Sequence, residues 1–173
     1  MISNTGTING NATGNINNET GGVINGHISG SGTLDQKVGG TFTITLGDVV
    51  KENKINIEGG VIVLSRGALT LSQLQGRTFD LLSATSITFG GKTNPSNAYV
   101  QSFFNLNALK GISFKFIDTF QNGNLIDVSL GFGNIIPTQV PEPATLAIML
   151  LGVPMLVMTS RRKQANGSAS IAA

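Results

Sequence analysis

The chain has 173 residues, with no cysteine, no tryptophan, one histidine, and 11 Lys/Arg against 9 Asp/Glu. Disulfides, thiolate metal sites, a cysteine nucleophile, a His-based triad and a multi-histidine metal centre are therefore excluded. Charged residues are only 12% of the chain, against about 25% in average globular proteins. Before Pro141, eight cations balance eight anions, and no basic stripe with interleaved aromatics is present, so a nucleic-acid partner is not expected.

Residues 1–40 contain ten glycines and seven asparagines, with aliphatic residues placed singly between them: Ile8, Ile16, Ile24, Ile28 and Leu34. The triplet Ile8-Asn9-Gly10 recurs as Ile24-Asn25-Gly26, with Gly14-Asn15-Ile16 midway. Very short strands, each sending one aliphatic side chain inward between Asn/Gly corners, are what a β-solenoid requires. The competing expectation for this zone is a Gly/Asn-rich linker too poor in apolar surface to fold.

From residue 41 the β pattern sharpens. Thr41–Leu46 alternates polar and apolar, which gives one buried face. Further strands are expected at Lys54–Glu58, Val61–Leu64, Leu69–Leu71, Thr78–Leu82 and Ser86–Phe89, with glycines between them. The segment around Asn94-Pro95-Ser96-Asn97 is expected as a loop that continues into a short strand or helical turn at Val100–Phe104. Ile112–Ile117 and Leu125–Leu130 should form an antiparallel hairpin turning at Gln121-Asn122-Gly123-Asn124.

The expected fold class is all-β: an elongated Gly/Asn-rich β-solenoid, or alternatively a compact β-sandwich over 39–133. The organisation divides into a β-rich body at 1–133 (repeats over 1–40, strands over 41–133), a linker at 134–140, a C-terminal signal at 141–163 and a polar tail at 164–173.

Chemistry-bearing residues are sparse. His27 sits between Gly26 and Ile28 in the turn-rich zone and is expected to face solvent. Asp48, Glu52 and Glu58 are close enough in sequence to approach one another, but single spacing suits a solvated loop or edge equally well. Gly30-Ser31-Gly32-Thr33-Leu34-Asp35 occurs once and lacks the spacing of a calcium-binding glycine repeat. No catalytic residue, metal ligand or cofactor is assigned, and the chain is expected not to be an enzyme.

The C-terminal region carries the strongest signal. Val140-Pro141-Glu142-Pro143-Ala144-Thr145 precedes an uncharged apolar run from Leu146 to Met158, and Arg161-Arg162-Lys163 follow after Thr159-Ser160. Pro141 and Pro143 fix φ and push their predecessors toward extended geometry, so the first segment should be a stiff, non-helical recognition strand. A hydrophobic helix over 144–160 lies at the short end of the range for a membrane span. The three cations should remain cytoplasmic and place the preceding body across the membrane.

This tripartite order resembles the C-terminal sorting signal of the PEP-CTERM proteins of Gram-negative bacteria. The resemblance covers Val140–Lys163, with two departures: Pro154 inside the apolar segment, and the tail Gln164–Ala173 after the basic cluster. It implies processing near Pro-Glu-Pro by an exosortase, a transient membrane partner, and a link to exopolysaccharide and biofilm. It also implies an exported protein, anchored for a time in the inner membrane and then found at the cell surface or outside the cell. The first residues lack a basic and apolar export signal, so the expectation is that they belong to a longer protein. The run Gly76–Gly90, with Thr78-Phe79-Asp80-Leu81-Leu82, resembles a segment of autotransporter-type passengers. From the body alone, an adhesin-like glycan-binding module is the alternative function.

Overall fold

The computed structural model of the chain describes residues 1–133, so the linker, the sorting motif, the hydrophobic helix expected at 144–160 and the polar tail lie outside the described residues. The described body is mostly β-structure in two sheets. The first sheet holds β1 (Ile2–Asn4), β3 (Ile16–Asn18), β5 (Thr33–Gln36), β8 (Lys54–Ile57), β10 (Thr78–Phe89), β13 (Asn124–Phe132) and β12 (Phe114–Gln121) in that spatial order, with β7 (Val50–Lys51) also paired to β10. The second holds β2 (Thr7–Asn9), β4 (Val23–Asn25), β6 (Thr41–Thr45), β9 (Val61–Ser65) and β11 (Phe104–Asn105). As far as β6 the chain alternates strictly between the sheets, and every pairing up to the β8–β10 and β9–β11 pairs is parallel.

Parallel register explains the isolated aliphatics of the sequence. Ile2, Ile16, Leu34, Ile55 and Ile87 are successive partners in the first sheet. Ile8, Ile24, Phe42, Ile62 and Phe104 are successive partners in the second. Each return of the chain to a sheet thus adds one apolar side chain to that sheet's column, and the inner members of both columns are essentially inaccessible to solvent. Burying each of these side chains is worth about 1.5–3 kcal/mol. The repeated Ile-Asn-Gly triplet is this register written in sequence: Ile8 pairs with Ile24, Asn9 with Asn25, and Gly26 lies over Gly10. A Cβ on Gly26 would stand 2.0 Å from the Gly10 carbonyl oxygen, so the corner closes only with glycine there.

A second inward column begins polar and ends apolar. Asn4, Asn18 and Gln36 are buried at successive register positions, followed by Ile57 and Phe89. Asn4 Nδ2 donates to Asn18 Oδ1 at 2.7 Å, and Asn18 Nδ2 donates to Gln36 Oε1 at 2.7 Å. The same two amides also donate to the carbonyls of Val23 (3.2 Å) and Thr41 (3.0 Å), which ties one sheet to the other.

The stack changes character near residue 90. β12 and β13 form an antiparallel hairpin in which Gln121 pairs with Asn124, so Asn122-Gly123 is a two-residue loop. Both loop residues have positive φ, 51° and 78°, as the mirror-image hairpin turn demands. β13 then pairs antiparallel with β10. Aromatic side chains gather in this region, with Phe79 against Phe132 at 5.8 Å and Phe104 against Phe116 at 5.0 Å between ring centroids.

Two local expectations need correction, and a third, at Val100–Phe104, is refined. Leu69–Leu71 is not a strand: a turn leads into α1 (Leu71–Leu74), whose start is held by the Gln73 side chain accepting from Thr70 N at 2.8 Å. Thr78–Leu82 and Ser86–Phe89 are one strand, β10, with register shifts against β13 where the sequence suggested a break. Its two halves have different parallel neighbours, β7 at Leu82–Ser83 and β8 at Ser86–Phe89, which is why the pattern changes midway. The Val100–Phe104 segment divides into α2 (Asn97–Gln101), capped by Ser96 Oγ accepting from Tyr99 N, and β11.

The amide column yields a stability prediction. Asn18→Ala strands the Asn4 amide and the Gln36 carbonyl in the core, so chemical denaturation should show a loss of about 2–4 kcal/mol. Replacing Asn4, Asn18 and Gln36 together by leucine should recover part of that loss, because the side-chain partners are removed together and only backbone groups, the Val23 and Thr41 carbonyls and the Gly6 N–H, lose a bond.

Candidate functional site

One corner of the stack, where the chain crosses from the second sheet to the first, gathers polar side chains from several circuits. Asn25 to Gly32 forms this corner after β4, and Leu46 to Asn53 forms it after β6. The layers are held by backbone bonds: Lys51 N donates to Ile28 O at 3.2 Å, Gly30 N to Lys51 O at 2.8 Å, and Glu52 N to Ser83 O at 3.2 Å. Ser29, Lys51 and Ser83 are therefore stacked neighbours, although they lie far apart in sequence.

Two cavities open at this corner. The first, about 260 Å³, is lined by His27, Asp48, Asn25 and Thr43, with Ile44 and Val50 among its apolar walls. Thr43 Oγ1 donates to Asn25 Oδ1 at 3.3 Å, and Asn25 Nδ2 donates to Asn9 Oδ1 at 3.2 Å, so a hydrogen-bonded polar column runs up to it. The second, about 270 Å³, is lined by Glu52, Lys51, Asn53, Ser31, Ser83 and Thr85, together with Gly30 and Ala84. Thr85 Oγ1 donates to Asn53 O at 2.6 Å, which fixes that wall.

Glu52 is the unusual member. It is 3% exposed, its Oε2 accepts from Gly32 N at 2.8 Å, and its Oε1 has no hydrogen-bond partner. Burial holds its carboxyl above the usual carboxylate range, opposed by the Gly32 N–H. Burial likewise raises the carboxyls of Asp118 and Asp127 on the hairpin: the charge of Asp127 adds to the first, and that of Asp80 to the second, where the Ser129 hydrogen bond opposes it. The Ser129 hydroxyl lies 2.6 Å from Asp127 Oδ1 and 2.9 Å from Asp80 Oδ1, and its single proton can serve only one of them.

The structure distributes the residues singled out by sequence. His27, expected to face solvent, is half-buried and lines a cavity. Asp48 joins it there, Glu52 lines the neighbouring cavity, and Glu58 is instead paired with Lys37. Among the described residues, no three His, Cys, Asp or Glu side chains converge to hold a metal ion. Val140, Pro141, Glu142, Pro143, Ala144, Thr145, Arg161, Arg162 and Lys163 lie outside the described residues. Sequence reasoning missed the Lys51–Ser83 wall, since only the three-dimensional register joins residues so distant. Comparisons with protein-family models, with curated proteins and with solved structures find no match to this chain.

Glu52, buried, and Asp118 and Asp127, half-buried, give a pH prediction. Each has a folded pKa raised above its unfolded value, so its stabilising contribution is complete below the unfolded carboxyl range, at about pH 4, and is lost as pH rises through the folded value. Thermal unfolding should give a higher Tm at mildly acidic than at neutral pH. Glu52→Gln should raise Tm by a few degrees at neutral pH and change it little at acidic pH, flattening the profile.

Proposed function

We propose that this chain is an exported, non-enzymatic surface or extracellular-matrix protein: a β-solenoid body delivered through a PEP-CTERM-like signal that an exosortase processes. The observation that carries this reading is the order of Pro141-Glu142-Pro143, an apolar segment of near-membrane length and Arg161-Arg162-Lys163. The parallel pairing of strands that alternate between two sheets supports the solenoid part, and a charge-poor body suits a matrix component with exopolysaccharide neighbours. In this reading segment 144–160 holds the protein in the membrane until cleavage releases the body to the cell surface or the medium. Glu142 is the only charge between Asp127 and Arg161, available to a basic group of the enzyme at the membrane surface.

A second reading, an adhesin-like glycan-binding solenoid, is favoured by the polar cavities at one corner of the stack. A glycan array separates the two: retention of one sugar class supports binding, and retention of none leaves the structural role.

Processing is the decisive test of the first. In cells with an active exosortase, mass spectrometry should find a mature C-terminus at Pro141–Thr145 and no peptide from Leu146–Ala173. Replacing Pro141 and Pro143 by alanine should abolish cleavage and keep the protein in the membrane fraction. An intact tail in the wild-type protein under those conditions would make the segment a plain anchor.

A further inference from the structure

The two sheets differ in a way that stacking does not explain. Charged residues occur in β5, β7, β8, β10, β12 and β13, all strands of the first sheet, whereas β2, β4, β6, β9 and β11 of the second carry none. In-register stacking disfavours columns of like charge in both sheets equally. The neutrality of the second sheet therefore has another source.

Two outward columns run across the strands of that sheet. Thr7, Val23, Thr41 and Val61 are successive register partners, and each carries a methyl group. Asn9, Asn25 and Thr43 form the other column, joined by hydrogen bonds from Thr43 Oγ1 to Asn25 Oδ1 and from Asn25 Nδ2 to Asn9 Oδ1. Thr7, Asn9, Asn25 and Val61 are exposed, while Ile24, Phe42 and Ile62 of the same strands point into the core. The amide run uses only part of the donor and acceptor capacity of its side chains. Asn25 and Thr43 also line the first cavity, whose ionisable residues, His27 and Asp48, come from the corners beyond the strands. An apolar stripe thus lies beside a hydrogen-bonding stripe, and both repeat at the strand spacing of about 4.8 Å.

We propose that this face binds a linear, uncharged polysaccharide lying across the strands, with the C–H faces of its rings on the Thr/Val column and its hydroxyls on Asn9, Asn25 and Thr43. A repeating surface suits a repeating ligand, and a sugar ring combines apolar C–H faces with hydroxyl edges as the two stripes do. An acidic polymer would bring carboxylates against strands that hold no cation to pair them. A peptide strand would add to a sheet edge and not lie on a face. A second copy of the chain would need an apolar interface core. Among the described residues, Val61 is the one exposed large hydrophobic side chain in the strands of this sheet. The inference rests on the glycan-binding reading of the body and is independent of the sorting signal.

The test is co-sedimentation of the full-length chain, in detergent micelles, with particles of cellulose, chitin and curdlan, and with beads of alginate and polygalacturonate. At least one neutral polymer should bind with a Kd about tenfold or more below that of either acidic one, since an unpaired carboxylate is costly to desolvate. Thr7→Lys and Val61→Lys together, both at exposed positions, should weaken neutral binding at least about tenfold and strengthen retention on alginate. Ser3→Lys, at an exposed position in the first sheet, should leave neutral binding unchanged. Circular dichroism matching the wild type confirms that each variant is folded. Equal retention on neutral and acidic polymers would overturn the ligand class while sparing the glycan-binding reading. Neutral binding that survives the two lysines would overturn the assignment to this face, and retention on no polymer would overturn both readings. Self-association that the two lysines abolish would make the face an interface between copies and overturn the proposal.

Discussion

When a strand such as β3 lies in parallel register between β1 and β5, each of its residues meets its counterpart in the neighbouring circuit, and like must tolerate like. This in-register stacking is the constraint on which the rest of the body depends. It makes a column of aliphatics favourable, because each member covers the next. It also makes a column of charges intolerable, because like charges would stand one strand spacing, about 4.8 Å, apart. Neutral amides and hydroxyls satisfy the requirement on polar columns, since each can donate to one neighbour and accept from the other. The low charge content and the abundance of Asn and Thr follow from that geometry and do not point to a particular ligand. Where charge does enter a column it is paired or isolated: Asn56 Nδ2 donates to Asp35 at 2.6 Å, and Thr88 Oγ1 to Asn56 at 3.1 Å, so one carboxylate sits at the end of a hydrogen-bonded run.

The buried amide column is best understood as a register device. Each amide hydrogen bond contributes only about 1 kcal/mol net, less than the burial of an aliphatic side chain at the same position. A slip of one residue, however, would reverse which side chains point inward. Asn4, Asn18 and Gln36 would lose their partners, while Ile16 and Leu34 would turn outward. Short strands of three or four residues hold few apolar side chains, so the hydrophobic term alone discriminates weakly between registers. The column is needed where strands are shortest. It gives way to Ile57 and Phe89 once β10 lengthens and the hairpin adds aromatic packing.

How far the body could be read from sequence follows the same division. The all-β class, the Ile-Asn-Gly repeat and the Asn122-Gly123 hairpin were legible because each is written in local spacing: a period, an alternation, or a dipeptide with positive φ. The pairing that builds the corner cavities was not, because Ser29, Lys51 and Ser83 come together through circuits of unequal length. Ile2 pairs with Ile16, Ile16 with Leu34, Leu34 with Ile55 and Ile55 with Ile87, so each circuit is longer than the one before it. A growing repeat defeats a search for a fixed period. Glu52 was hidden for a related reason: between Lys51 and Asn53 it has the local look of a solvated loop, and only the Ser83 layer above it and Gly30 and Gly32 beside it bury its carboxyl.

The growth in circuit length also explains why polar cavities occur at this corner. When one circuit is longer than the one beneath it, the extra residues must be accommodated where the backbone is least constrained, and that is the crossing between sheets. The crossing after β6 carries Leu46 to Val49 before pairing resumes at Val50, whereas the crossing after β4 re-forms parallel bridges at Ile28 and Ser29. Successive layers therefore do not superpose there, and the mismatch leaves gaps, one lined by His27 and Asp48 and the other by residues around the buried Glu52. Along the strands, stacking pairs Asn4 with Asn18 and Asn18 with Gln36, and leaves single atoms such as Gln36 Nε2 and Asn17 Oδ1 without a partner. At the crossing it supplies no such pair, and a buried carboxyl with one unpartnered oxygen is the physical consequence. Such a group raises the energy of the folded body, and burial accordingly favours its protonated form.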